Sequence, residues 1–377
     1  MISRSFKLAH PLAIVCLALV SPAWAAAGAP ERIRRFSNCQ LGSPELVEAE
    51  ALSVAGKYAE AQARFESALR GEEGRMPPDP SNLACLMNMI GVTLLRQHRP
   101  EPATVWFRRS RELAPLPLAL AAFVANNLAS AYIDLGNLDE AEEIGRQATQ
   151  LAEKAFGPDH IDTGAALATV ASIHYARGDL DRAEPIFRRV LYNLDKTAGI
   201  DTYEIAMAAA NLAQVYLAQK RSHQARQLFE KAVAELSKSE RRRLDEIALC
   251  QTGLMLTYAL EKRERETGLL MARLLTFGEE VLGPQHASFA MILQRAGAAR
   301  FLLKDYQASV RLFERALPII ERSYGPSSPQ AIDCLRSYAK SAHMAKDKIS
   351  GRQIEDRLRT VSELADLPET RQGRYLH

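Results

Sequence analysis

Two histidines stand where chemistry would first be sought. His160 ends the run Gly157-Pro158-Asp159-His160, and His286 ends Gly283-Pro284-Gln285-His286. A histidine beside a carboxylate in a tight loop could move a proton or bind a metal ion, provided a fixed partner faced it. No such partner is encoded. The 8 histidines are isolated from one another, and the carboxylates are scattered through runs such as LDEAEE and LDEIA, which read as solvated helix faces. There is no glycine-rich phosphate loop, no His-Glu-x-x-His and no Gly-x-Ser-x-Gly. None of the 5 cysteines lies in a Cys-x-x-Cys pair. No cofactor and no metal site are expected, and an enzyme with a site dispersed over several helices is the weakest reading.

The question then becomes what the rest of the chain is built to position. Its 377 residues carry 48 basic and 45 acidic side chains, a balance of +3 that does not single out nucleic acid as a partner. Alanine and leucine dominate and aromatic residues are only 7% of the chain, a composition that favours helices. The start reads differently. Arg4 and Lys7 precede an apolar run from Leu12 to Val20, followed by the small-x-small end Ala23-Trp24-Ala25. Residues 1–25 are therefore expected to be a secretory signal peptide cut after Ala25, with 26–43 an N-terminal extension. The apolar run is well short of the ~20 residues of a spanning helix, and an uncleaved membrane anchor is the alternative. The mature chain is expected to be periplasmic or secreted, with no membrane span.

The Gly-Pro corner recurs. Gly157, Gly283 and Gly325 open such corners and Gly199 falls in the same series, at intervals of 42, 84 and 42 residues. Ala141, Ala183 and Ala225 keep the same step, as do Ala61 and Ala103, with a shorter step of 38 residues to Ala141. Phe65, Phe107, Phe187, Phe229 and Phe313 follow the small position by four residues. A fixed period of this size announces stacked repeats. Within one period the apolar set Ile205, Ala208, Leu212, Val215, Tyr216 has 3–4 spacing, and so does Ala225, Leu228, Phe229, Ala232, Val233. Each repeat is thus a pair of helices that cannot bury both apolar faces alone and must stack on its neighbours. The Gly-Pro corner is architecture: Gly157 ends one helix, Pro158 cannot continue it, and Asp159 is expected to cap the next.

The order of small residue, Tyr, Gly, Ala, Phe and Ala in VANNLASAYIDLGNLDEAEEIGRQA and AAANLAQVYLAQKRSHQARQLFEKAV resembles the tetratricopeptide repeat. The 42-residue length and the Gly-Pro-Asp-His corner resemble its kinesin light chain-like variety, of the kind found in exported bacterial proteins. The resemblance implies an all-α, right-handed superhelical solenoid of about eight antiparallel helix pairs over residues 44–366, with 367–377 as a tail. SERRR at 239–243 stands in place of one corner and adds a basic patch on a loop.

The resemblance further implies a non-enzymatic scaffold whose first helices line a concave face that binds an extended or helical peptide. Counting from the small position puts Asn126, Asn127, Asn211, Gln214 and Gln294 on that face. Asn127 and Asn211 sit where the family uses an amide to hold a ligand's main chain, because an amide both donates and accepts. Arg295, Arg336 and Lys340 would make the C-terminal end of the groove basic, suited to an acidic peptide or a C-terminal carboxylate. The expected partner is a protein or peptide in a bacterial envelope assembly, and no nucleic acid. A structural component that self-associates is the rival reading, and the oligomeric state stays open. With only DLPETRQGRYLH following the last helix, no further folded domain is expected.

The cysteines follow the stack. Cys39 precedes the first helix and Cys85 lies near the start of the equivalent helix one repeat later, close enough for a disulfide between neighbours. Cys250 and Cys334 share a slot two repeats apart, too far to pair, and read as core residues.

Overall fold

The structure, a computed structural model, describes residues 44–54, 56–113, 115–197, 202–238 and 244–365. Every regular element among them is helical and none is a strand. The chain divides into two units, one of residues 21–200 and one continuing from residue 201. The first holds α1 Pro44–Val54, α2 Tyr58–Glu73, α3 Pro80–Arg96, α4 Pro100–Glu112, α5 Leu118–Asp134, α6 Leu138–Phe156, α7 Ile161–Ala176 and α8 Leu180–Lys196. The second holds α9 Thr202–Ala218, α10 Ser222–Lys238, α11 Leu244–Leu260, α12 Glu264–Phe277, α13 Ala287–Leu302, α14 Tyr306–Tyr324, α15 Pro329–Met344 and α16 Lys348–Ala365. A π-helical turn, Gly278–Leu282, extends α12. Odd-numbered and even-numbered helices are the first and second members of eight pairs, and each helix packs on the next within its unit. The expected all-α array of helix pairs is present. The expected signal segment 1–25, the expected extension 26–43, the corner at Gly199 and the basic run 239–243 lie outside the described residues, as does the stretch from 366 on.

The 42-residue period is a backbone requirement before it is a packing pattern. Each pair turns on one residue of positive φ: Gly56, His98, Gly136, Gly178, Lys220, Lys262, Lys304 and Lys346, with φ between 57° and 79°. Past it the chain closes back on the helix, as when the Arg221 amide donates to the Tyr216 carbonyl at 2.8 Å and the Arg263 amide to the Tyr258 carbonyl at 2.9 Å. This left-handed close satisfies carbonyls that a helix end leaves open. Glycine adopts it freely, whereas an L side chain there costs roughly 1–2 kcal/mol.

The corner between pairs is different again. Gly157, Gly283 and Gly325 have φ 93°, 96° and 90° with ψ 164°, 151° and 150°. That region is open essentially to glycine alone. The cap of the next helix is one residue later than expected. His160 Nδ1 accepts from the Asp162 amide and His286 Nδ1 from the Ser288 amide, both at 3.2 Å, and Ser328 Oγ does the same for Ala331. Helix α7 begins at Ile161, so the side chain directly before it reaches the free amides, while Asp159 instead accepts from Asn193 at 3.2 Å. The two histidines are corner caps.

Small residues set the approach of the helices. A Cβ added at Gly91 would lie 2.5 Å from the Phe107 ring, and one at Gly253 would lie 2.3 Å from the Phe229 ring. The repeating phenylalanines are almost fully buried, and the rings of Phe107, Phe229 and Phe313 fill the space that Gly91, Gly253 and Gly297 leave open.

Candidate functional site

The residues expected on the groove lie on first helices, and most are deeper than expected. Asn126 and Asn127 are buried on α5, Asn211 and Gln214 on α9, and Gln294 and Arg295 on α13. Several join consecutive first helices. Asn127 Nδ2 donates to Asn88 Oδ1 of α3 at 2.9 Å, and Thr169 Oγ1 of α7 donates to Asn126 Oδ1 at 2.7 Å. In the second unit Arg295 Nη1 donates to Thr252 Oγ1 of α11 at 3.1 Å, and Tyr203 Oη of α9 donates to Glu246 Oε1 at 3.0 Å. Neighbouring helices approach to about 8–10 Å, so a short polar side chain meets the next helix before it meets solvent. Counting positions gives the face of a helix but not the depth of a side chain on it.

The basic C-terminal end is likewise redistributed. Arg295 is fully buried against Thr252, so it does not share a solvent-facing patch with Arg336 and Lys340, which are exposed on α15. Arg336 Nη1 lies 3.5 Å from Asp333 Oδ1, and Lys340 Nζ sits 5.2 Å above the Phe301 ring centre. Burial pushes the Asp333 carboxyl up to about 7, against the opposing pull of Arg336. Phe123 of α5 packs on Phe156 of the second helix of its own pair, ring centres 5.8 Å apart.

The polar face is not fully satisfied from within. Gln214 is 0% exposed, yet neither Oε1 nor Nε2 has a hydrogen-bond partner among the described residues. Gln294 Oε1 on α13 and Asn88 Nδ2 on α3 are in the same condition. A buried donor or acceptor left unmatched costs about 1–3 kcal/mol, so these amides are positioned at a price the fold alone does not explain. Nothing in the sequence distinguished Gln214 from the bonded amides beside it, because the difference lies in what the neighbouring helix offers.

Cys85 is buried and disulfide-bonded, and its expected partner Cys39 lies outside the described residues. Cys250 and Cys334 are free and buried. Burial pushes the Cys250 thiol up to about 12 and raises Cys334 in the same direction. Among the described residues no group of three or more His, Cys, Asp or Glu side chains could hold a metal ion, and no helix is long and apolar enough to cross a membrane.

Comparison with known proteins places this geometry. Residues 120–196, 168–238 and 288–349 match the tetratricopeptide repeat family. No curated protein matches the sequence. Among solved structures, the chain is similar to a Rap protein complexed with competence and sporulation factor, at 14% identity and TM-score 0.64, over 96% of this chain and 99% of that one. It is also similar to BtubC (BKLC) from P. vanneervenii, at 16% identity and TM-score 0.44 over 61% of this chain and 90% of that one. A putative kinesin light chain from Podosopora anserina is 20% identical, with TM-score 0.41, over 52% of this chain and 93% of that one. The described residues form an all-α array of stacked helix pairs, and residues 120–238 and 288–349 of it match the tetratricopeptide repeat.

Proposed function

We propose that the protein is a non-enzymatic scaffold whose first-helix face binds a segment of another protein, in the envelope of a bacterial cell. One observation carries this reading: on the first helices of the second unit, Gln214 and Gln294 keep amide atoms that no described residue bonds, and a ligand reaches them by displacing the side chains that cover them. An amide held in this way can both donate to and accept from a peptide main chain, which suits an extended ligand of unspecialised sequence. The Rap protein of similar fold is complexed with competence and sporulation factor, and a comparable use of the array is proposed here. The repeat variety is read as kinesin light chain-like from its 42-residue step and Gly-Pro corners.

Export is proposed from the layout of residues 1–25, and the disulfide at Cys85 supports an oxidising compartment. Among the described side chains of α16 the exposed ones are Arg352, Gln353, Glu355, Asp356, Arg357, Arg359 and Thr360, so no apolar patch among them favours end-to-end self-association.

The test substitutes Gln214→Leu and Gln294→Leu in the exported protein, with a photo-crosslinker at partly exposed Leu249. Removing amides that have no internal partner is expected to raise stability by about 1 kcal/mol or more, while capture of the native partner falls at least tenfold. Unchanged capture by a folded double variant would rule the reading out.

A further inference from the structure

The second unit carries a row of lysines that its own packing does not need. The eight positive-φ turn positions are Gly56, His98, Gly136 and Gly178 in the first unit, and Lys220, Lys262, Lys304 and Lys346 in the second. One backbone geometry is therefore met by three glycines and a histidine in one unit and by four lysines in the other. Lysine is the strained choice at each site. The attraction of a cation to a helix C-terminus offsets only part of that strain and is screened at the surface.

Internal ion pairing does not account for them either. All four lysines are exposed, and no acidic group of the described residues lies within ion-pairing distance of any of them. The acids beside them are committed elsewhere. Glu261 pairs with Arg226 at 3.4 Å, Glu266 with Arg263 at 2.6 Å, and Asp305 with Arg300 at 3.4 Å while also capping α14. Arginines on the same turns are held too: Arg221 and Arg263 stack 4.0 Å and 4.7 Å from the ring centres of Tyr216 and Tyr258. What stays open at each turn is one lysine ammonium.

The four sites are in register. Each lies at the end of a first helix, and side chains bridge consecutive first helices from Tyr203 to Glu246 and from Thr252 to Arg295. Neighbours in such contact are spaced by about 10 Å, so the row is one charge wide and about 30 Å long. An extended polypeptide rises ~3.3 Å per residue, which puts every third residue opposite a lysine. We propose that this edge of the second unit binds an extended acidic segment of a partner protein, with carboxylates at every third position meeting Lys220, Lys262, Lys304 and Lys346. A single file of point charges matches a strand. An anionic lipid surface would be met better by a broad basic face with apolar side chains to insert.

The experiment measures fluorescence anisotropy of a labelled peptide of about ten residues, with glutamate at every third position among serine and glycine, to match the row at ~3.3 Å per residue. Controls are the same composition with the glutamates contiguous, and vesicles containing phosphatidylserine. The spaced peptide is expected to bind the full-length protein at least tenfold more tightly than the contiguous one, and to weaken as salt rises. Replacing all four residues, Lys220→Gly, Lys262→Gly, Lys304→Gly and Lys346→Gly, is expected to abolish binding while raising the melting temperature. Loss of binding then cannot be blamed on unfolding. If the glycine variant folds poorly, the matching asparagine variant, which also tolerates this conformation, carries the same expectation for binding. Equal affinity for both peptides, undiminished binding by either variant, or binding to vesicles alone would overturn the proposal.

Discussion

Asp333 shows how one side chain can set the pH dependence of a whole array. It is buried on α15 with Arg336 at 3.5 Å, and burial pushes its carboxyl up to about 7. In the unfolded chain the group titrates near 3.9. Between those values the native state keeps a proton that the unfolded state has lost, so the folded form gains relative stability at low pH. That advantage disappears as pH rises through about 7. Asp333→Asn cannot ionise and is expected to be more stable than the native protein at pH 8, by up to about 4 kcal/mol. The gap should narrow towards pH 5. Urea unfolding at the two pH values checks this, and a gap that is the same at both would show that the carboxyl is not desolvated. No motif in the sequence marks Asp333, since proton affinity depends on how closely the packed helices cover the carboxyl.

At the scale of helices, the contacts between small residues and rings carry the packing. Gly253 of α11 leaves room for the Phe229 ring of α10, and a Cβ there would lie 2.3 Å from the ring's Cζ. Gly253→Ala is therefore expected to destabilise by about 1–3 kcal/mol, and Phe229→Leu in the same chain should recover part of the loss. A double-mutant cycle in denaturant measures the coupling, and simple additivity would show that the two sites do not touch. This layer was legible in the sequence. Phe65, Phe107, Phe187, Phe229 and Phe313 announce themselves by spacing, and the Gly-Pro corners by the φ that only glycine takes up easily. The caps were legible to within one residue: the expectation at Asp159 fell one position before His160 because helix starts depend on local geometry finer than a motif. The site was less legible. Asn126 and Asn127 read as groove amides, yet they bond Thr169 and Asn88 of neighbouring first helices. Whether an amide faces a ligand or the next helix is decided by the partner, which periodicity does not encode.

At the scale of the whole molecule, stacked repeats hand stability from neighbour to neighbour. A crosslink at Cys85 therefore acts first on α3 and on the helices packed against it, α2 and α4. Reducing it is expected to remove about 2–5 kcal/mol of stability, seen in hydrogen exchange as a loss of protection greatest in those three helices. Cys250 and Cys334, buried with thiols of raised pKa, should stay unreactive towards alkylating reagents until the second unit opens. Uniform loss of protection across all sixteen described helices would contradict a nearest-neighbour stack.

The seam between α12 and α13 has a meaning beyond packing. A Cβ at Gly278 would lie 2.0 Å from the Phe289 ring, whereas the matching positions in other repeats hold Ala152, Leu194, Leu236 and Ile320, all buried. Bulk has moved from one side of this joint to the other, and the π-helical turn lies at the joint. This joint is matched to the Phe289 ring in a way that the joints bearing Leu194, Leu236 and Ile320 are not. A duplicated copy of the segment bearing Phe289, spliced in one place further along, would press its ring against Ile320. An array lengthened at this joint must therefore carry Gly278 and Phe289 together.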